Sequence, residues 1–444
     1  MDDKTRASFL RYFKSAPADS YFRFLTDEKH QLTNPKRANG REDPFALALL
    51  NRQLAEYYFP RGSLETQIRR WGSQVIIGRR ASGKTTMLRK TADPVSGPEM
   101  NRPDALAAGE AMQIDRNDLA VVIPLQDTGD VIADKKFLDG FLSPLSVSVL
   151  PRYIMSDFFA KFICSPAEQA GLLADYRKNL GWMEALCWFY NNFTPLRPTF
   201  ESDFELMAWL SQYETLRRRV TWPRTDIEKL ERLIRFVTSP VESITGKEQR
   251  RYRRVVILVD GTEEINHSAV ERLLADFARL AGCGLNDRLC VKLFIDRRHA
   301  AKVEALEPVR LGQVMVTEMP EWSGQDLKNL LLTRPLICTG QLPAQALEEI
   351  GRDGIADNLR TNWTWKLVPH VFPKEVRGPF LNQLIDSARL AYQYDDVYDA
   401  PYHALRLTRG ILWYASTIAE AASGPKELNM NIIQEICALY WSVR

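Results

Sequence analysis

The sequence predicts an α/β protein: a three-layer αβα core built on a parallel five-stranded sheet, with a large helical insert and a C-terminal helical domain. Three observations predict it. A short apolar run, Val75-Ile76-Ile77, enters a glycine-bearing turn and then a helix-forming stretch, Thr86 to Arg89. A second run, Val255 to Val259, ends in Asp260; a continuous run of that length suits a strand buried on both faces. Three more apolar runs, Leu119 to Leu125, Val291 to Ile295 and Val314 to Met319, bring the strand count to five, the number a compact αβα core needs.

The chain has 444 residues, enough for two or three domains and a sizeable core. Residues 1–65 read as an N-terminal arm and helix. Within them a polar linker, Asn34 to Asp43, precedes a helical stretch from Pro44 to Tyr58 and then Phe59-Pro60-Arg61-Gly62. The core spans 66–335, interrupted by an insert at about 136–245, and residues 336–444 are helical in pattern. Asn431-Ile432-Ile433-Gln434 is similar to a capping box that starts a last helix through Ile436, Leu439 and Tyr440.

The first strand carries the most specific motif. Gly78-Arg79-Arg80-Ala81-Ser82-Gly83-Lys84-Thr85 is a full G-x-x-x-x-G-K-[ST] phosphate loop, in the strand-before, helix-after context the motif requires. Gly78 and Gly83 let the backbone curl so that its N–H groups face phosphate oxygens. Lys84 would bridge the outer two phosphates of ATP, the Thr85 hydroxyl would ligate Mg²⁺, and Thr86 continues the helix whose positive end would add to the anion site. Such a loop needs a carboxylate partner. Asp260 closes its strand where ligands bind in open α/β sheets, and suits the metal. Glu263 and Glu264 follow at once. Either could polarise the attacking water, and both equally suit the first turn of a helix, where the macrodipole favours acids.

Leu119 to Leu125 lies in sequence between the two nucleotide motifs, which is the mark of the additional-strand branch of phosphate-loop enzymes. After Asp260 comes an amphipathic helix with Val270, Leu273, Leu274, Phe277 and Leu280 on one face, ended by a loop holding Gly282 and Gly284. The next strand ends in Asp296-Arg297-Arg298, and the fifth leads into Pro320-Glu321-Trp322.

Lys84 and Asp260 are widely separated because of the insert, which is rich in aromatics such as Phe158, Trp182, Trp188 and Trp209. These either fill the insert's own core or form a platform for a protein partner. Helical periodicity is clear over Leu206, Trp209, Leu210 and Tyr213, and again over Ile227, Leu230, Leu233 and Ile234. Two basic runs flank its exit: Arg217 to Arg219, then Lys247 with Arg250, Arg251, Arg253 and Arg254. They read either as solvated faces or as a surface for DNA, RNA or an acidic protein.

Composition narrows the classes further. The net charge of +3 excludes a histone-like coat. No apolar run reaches about 18 residues, so no transmembrane helix and no membrane association are expected. The charged start, Met1-Asp2-Asp3-Lys4, lacks the apolar stretch of a signal peptide. Six scattered cysteines without Cys-x-x-Cys spacing read as reduced core residues of a cytoplasmic protein.

Taken together, the motifs resemble those of the AAA+/STAND group of phosphate-loop ATPases. Asp260-Gly261-Thr262-Glu263-Glu264 is similar to the DGxDE form of the second motif in STAND ATPases. Asp296 with Arg297 or Arg298 falls where these families keep a first sensor residue. Trp322 to Leu327, with Leu330 to Arg334, resembles the helix after the fifth strand in origin-recognition-like bacterial ATPases. Leu407-Thr408-Arg409-Gly410 is similar to the second sensor helix of a lid, with Thr408 where the family usually has Pro. The resemblance implies that Arg409 touches nucleotide, and that Arg297 or Arg298 senses the terminal phosphate or reaches a neighbouring protomer. It also implies that Phe59 and Pro60 lie beside the base. Ser323-Gly324-Gln325 is similar to an ABC-type signature, but that signature precedes the Asp strand and this segment follows it.

The expected function is Mg²⁺-dependent ATP binding and hydrolysis that drives a conformational or oligomerisation switch acting on a partner protein or DNA. Self-association is part of that expectation, and the resemblance extends to ATPases of bacterial defence systems. The competing expectation is a scaffold that holds ATP or ADP without turnover, or a DNA-binding adaptor.

Overall fold

A computed structural model describes residues 6–7, 63–92, 114, 118–125, 150, 154, 227–238, 240–242, 248–250, 252–261, 267–328, 330–331, 377–421 and 430–442. The chain divides into two compact units, each described by itself. One holds Thr66–Ile77 and Thr91–Glu318; the other holds Gly78–Lys90 and Met319–Arg444 together with Met1–Glu65.

In chain order, the described helices are α1 (Leu64–Arg69), α2 (Lys84–Ala92), α3 (Ile227–Thr238), α4 (His267–Ala281), α5 (Ala300–Glu304), α6 (Glu307–Arg310), α7 (Arg377–Tyr394), α8 (Ala400–Ala421) and α9 (Met430–Ser442). The strands are β1 (Gln74–Gly78), β2 (Leu119–Pro124), β3 (Pro240–Glu242), β4 (Glu248–Arg250), β5 (Val255–Asp260), β6 (Leu289–Asp296) and β7 (Met315–Glu318).

The first unit is built on a five-stranded parallel sheet of order β2-β5-β6-β1-β7. All five strands coincide with the apolar runs seen in the sequence. The reason is burial: every residue of β1, β5 and β6 is buried, so both faces must be apolar and no alternation is visible. One face joins Leu119, Val121 and Ile123 of β2, Val255, Ile257 and Val259 of β5, and Val291, Leu293 and Ile295 of β6 into a single core. The apolar stripes of α3 (Leu230, Leu233, Ile234, Val237) and α4 (Val270, Leu273, Leu274, Phe277, Leu280) belong to that same core. Ile227, at the first turn of α3, is exposed.

The opposite face of β6 is less uniform. Lys292 is fully buried in mid-strand and donates from Nζ to the Arg70 carbonyl (2.6 Å) and Gln74 Oε1 (2.9 Å). Burial holds its amine down at about 8 and pushes the Cys290 thiol beside it up to about 11. At the amino edge of the sheet, just before β5, Arg254 makes a two-pronged pair with Asp118: Nε to Oδ1 at 3.0 Å and Nη2 to Oδ2 at 2.7 Å. The guanidinium lies 3.9 Å from the centre of the Trp71 ring.

At the exit of the insert the chain adds two strands the sequence does not signal: β3 and β4 form a two-stranded antiparallel ribbon, with Pro240 opposite Arg250 and Glu242 opposite Glu248. The last helix already includes Met430, so Asn431 lies inside α9 rather than at its cap. The rest of the insert, apart from α3, Leu150 and Ile154, lies outside the described residues, as does nearly all of the N-terminal arm.

In the second unit α7, α8 and α9 pack on one another through Leu384, Ala388, Leu405, Ile411, Ile433, Ile436 and Tyr440, all buried. His403, also buried, shares a 2.7 Å hydrogen bond with the Tyr440 hydroxyl and lies 3.6 Å from the Asp395 carboxylate. Among the described residues no helix is long and apolar enough to cross a membrane.

Candidate functional site

The sequence-flagged residues fall into two sets, one in each unit. The first set is the loop between β1 and α2. Its backbone curls as the glycine spacing predicts, but by a mixed route. Gly83 has a φ of +94°, and the other left-handed position is filled by an alanine, Ala81, at +65°. A left-handed alanine costs on the order of 1–2 kcal/mol, so the surroundings must hold it there. Gly78 is required for a different reason: a Cβ on it would come within 2.7 Å of the Met319 side chain. Ser82 is buried, and its N–H donates to the Arg79 carbonyl at 3.2 Å.

Lys84 is 3% exposed and turns back over the loop. Its Nζ donates to the carbonyls of Gly78 (2.8 Å) and Arg79 (2.7 Å). Thr85, the next residue of α2, is exposed, and Thr86 is half-buried. The arrangement has the chemistry of an anion cradle: a lysine over a curled backbone at the start of a nine-residue helix. On that geometry the residues present fit a polyphosphate.

Arg79 and Arg80, the two variable positions after Gly78, are both engaged with the segment that joins α7 to α8. The Arg79 guanidinium lies 4.7 Å from the centre of the Tyr392 ring and donates to the Asp395 carbonyl at 3.4 Å. Tyr392 in turn donates its hydroxyl to Glu321, and burial together with that hydrogen bond pushes its phenol up to about 12. Arg80 lies 5.2 Å from the Tyr398 ring centre. Its backbone forms a parallel bridge with Tyr398, and its carbonyl accepts the Asp399 N–H at 2.9 Å. Tyr398 stacks on Tyr402 at 3.9 Å between centroids, and Arg406 donates to the Tyr402 hydroxyl. Nothing in the sequence singles out Tyr392 or Tyr398; they lie more than 300 positions from the loop, as the Arg79–Asp395 separation of 316 shows.

The second set lies at the carboxyl ends of β5 and β6. Asp260 closes β5, is buried, and is followed by Gly261 at a φ of +91°. Asp296 closes β6 and is also buried. It caps the short turn Arg297–His299, accepting from the backbone N–H and the Nε of Arg298, both at 2.9 Å. That contact separates the two sequence candidates: Arg298 is tied back to Asp296, and Arg297 is exposed without that tie. Glu263 and Glu264 lie outside the described residues, and so does the side chain of Arg409, whose backbone belongs to α8.

Of the basic runs, Arg217 to Arg219, Lys247 and Arg251 lie outside the described residues, and Arg250 is the last residue of β4. Arg254 is a correction: buried at 3% exposure between Asp118 and Trp71, it is not part of a nucleic-acid surface. No protein-family model matches the chain, and no curated protein is similar to it.

Proposed function

We propose from the chain's own geometry that it binds and hydrolyses ATP with Mg²⁺, and that the 78–83 loop takes the phosphates. What supports this reading most is Lys84: a buried ammonium folded over the carbonyls of Gly78 and Arg79, in a loop whose glycine has no room for a Cβ. Burying an ammonium is costly unless it is paired or serves a ligand, and the partners Lys84 holds are carbonyls of the loop itself, which places its charge over the curl that would receive the phosphates. The strand order supports the additional-strand reading through a different strand from the one the sequence offered: β6 separates β1 from β5, while the Leu119–Pro124 strand lies at the end of the strand order.

In this reading the loop N–H groups donate to phosphate oxygens, and Lys84 exchanges its carbonyl partners for the outer phosphates. Thr85 and Asp260 would hold Mg²⁺, which would supply charge to neutralise the phosphates during transfer. Glu263 or Glu264 orients the water, and Arg297 or Arg298 offsets charge developing in the transition state. Arg409 contributes a further contact from α8. The output is a conformational or oligomerisation switch acting on a protein partner or DNA, in a cytoplasmic setting. The resemblance to STAND-like ATPases supports a role in a bacterial defence system.

The test is ATP turnover in the full chain. Lys84→Ala is expected to lower kcat/KM by at least about 10²-fold, as for removal of an oriented charge at a developing anion. Turnover at the wild-type rate in that variant would remove the loop from the site.

A further inference from the structure

The backbone geometry of the 78–83 loop is held from outside itself. Ala81 sits in a left-handed conformation that an alanine does not adopt unaided. The residue just before it, Arg80, is fixed twice over by the α7–α8 connection: its backbone bridges Tyr398, with its carbonyl accepting the Asp399 N–H as part of that bridge, and its guanidinium lies on the Tyr398 ring. Arg79 is fixed by the Tyr392 ring and the Asp395 carbonyl. The two tyrosines are themselves immobilised, Tyr392 by its bond to Glu321 and Tyr398 by stacking on Tyr402.

We propose that Tyr392 and Tyr398 are positioning residues for the phosphate loop: through Arg79 and Arg80 they hold its backbone in the anion-accepting curl. The inference rests on the reading of residues 78–85 as a phosphate site and adds to it two residues that touch no ligand. The physical argument is preorganisation. Backbone N–H groups bind an anion tightly only if their orientation is set before it arrives, since ordering a loop on binding subtracts from affinity. An arginine over an aromatic face is a suitable restraint, because the side chain constrains position without itself engaging the loop's backbone N–H groups. The same contacts make the α7–α8 connection responsive to the loop: a shift in either element is felt by the other through two guanidinium groups.

Two measurements test this, and they fail separately. The first is amide hydrogen exchange at residues 79–83 of the full chain without nucleotide, for wild type, Tyr392→Leu, Tyr398→Leu and the two Tyr→Phe variants. Loss of the aromatic face is expected to speed exchange at these amides about 3–30-fold, with Tyr398→Phe close to wild type because the ring is kept. Unchanged exchange in both leucine variants overturns the proposal whether or not the chain binds ATP. The second is affinity for Mg-ATP and for tripolyphosphate. Both are expected to weaken about 3–30-fold in the leucine variants, and by the same factor, because the restraint acts on the phosphate cradle and not on the base.

If wild-type protein binds neither probe, the phosphate-site reading falls and this inference with it. If wild type binds both and the leucine variants bind equally well, only the inference falls. Should a leucine variant fail to fold, Arg79→Gln and Arg80→Gln remove the same contacts from the other side, and the same exchange and affinity changes are expected.

Discussion

Lys292 shows how much one residue can hide in an apolar strand. In the sequence it is a lone polar letter in Val291-Lys292-Leu293-Phe294-Ile295; in the fold it is a fully buried amine, satisfied by the Arg70 carbonyl and Gln74. Nothing local could reveal this, since both acceptors come from the segment around the start of β1. Its titration gives a signed prediction. The folded amine gives up its proton at about 8 and the unfolded one at 10.5, so across that window the unfolded state binds more protons and stability rises with pH. Cys290 works in the opposite sense: its thiol titrates at about 11 when folded and 9.0 when not, so stability falls between those values. The net wild-type gain therefore lies between about 8 and 9, where only the lysine responds. Lys292→Met keeps only the cysteine's fall. Comparing urea midpoints near pH 7.5 and pH 10 should shift the stability difference toward wild type by roughly 2–3 kcal/mol. A difference that does not move with pH would mean the amine is not desolvated. Arg254 carries a parallel lesson: it stands at the end of a basic run in the sequence, yet Asp118 and Trp71 remove it from the surface.

At the scale of elements, the strands were legible and their neighbours only partly so. β1, β2, β5 and β6 announce themselves because a buried parallel strand is largely apolar, whereas β7, at the end of the strand order, alternates between half-buried and exposed residues. The α4 stripe is equally plain, since its five apolar positions recur at helical spacing. The β3–β4 ribbon was not legible: Pro240-Val241-Glu242 and Glu248-Gln249-Arg250 are too short and too polar to show a period. The glycines and lysine of the 78–85 loop were legible because the chemistry fixes their spacing. The tyrosines that hold Arg79 and Arg80 were not, because their partners are set by the fold. The helix expected after the fifth strand has a visible start. Ser323 and Asp326 cap each other reciprocally, the Asp326 N–H donating to Ser323 Oγ and the Ser323 N–H to the Asp326 carboxylate, both at 3.1 Å. The serine–glycine–glutamine motif is thus the start of a helix. Ser323→Ala should lower stability by about 1 kcal/mol in a chemical melt while Gln325→Ala changes it little; equal effects would argue against the cap.

For the whole molecule, ligand linkage offers a check that needs no turnover. A ligand that binds only the folded state stabilises it by about 2.7 kcal/mol at a hundred times its dissociation constant. Mg-ATP should therefore raise the thermal midpoint of the wild-type chain by several degrees, and Lys84→Ala should abolish that rise. A rise that persists undiminished in Lys84→Ala would place the nucleotide elsewhere.

The strand order also has a consequence for how the chain comes into being. β1 is made early, yet its two neighbours in the sheet, β6 and β7, are among the last strands of the chain. Gln74 and Lys292, which meet across the first of those pairs, are 218 positions apart. A nascent chain leaving the ribosome at about 5–20 residues per second must therefore carry the apolar Val75-Ile76-Ile77 run unpaired for roughly ten seconds or more. The segment that becomes the sheet's interior is, during synthesis, its longest-exposed sticky edge. Pairing of β1 with β6 therefore waits until most of the chain has been made.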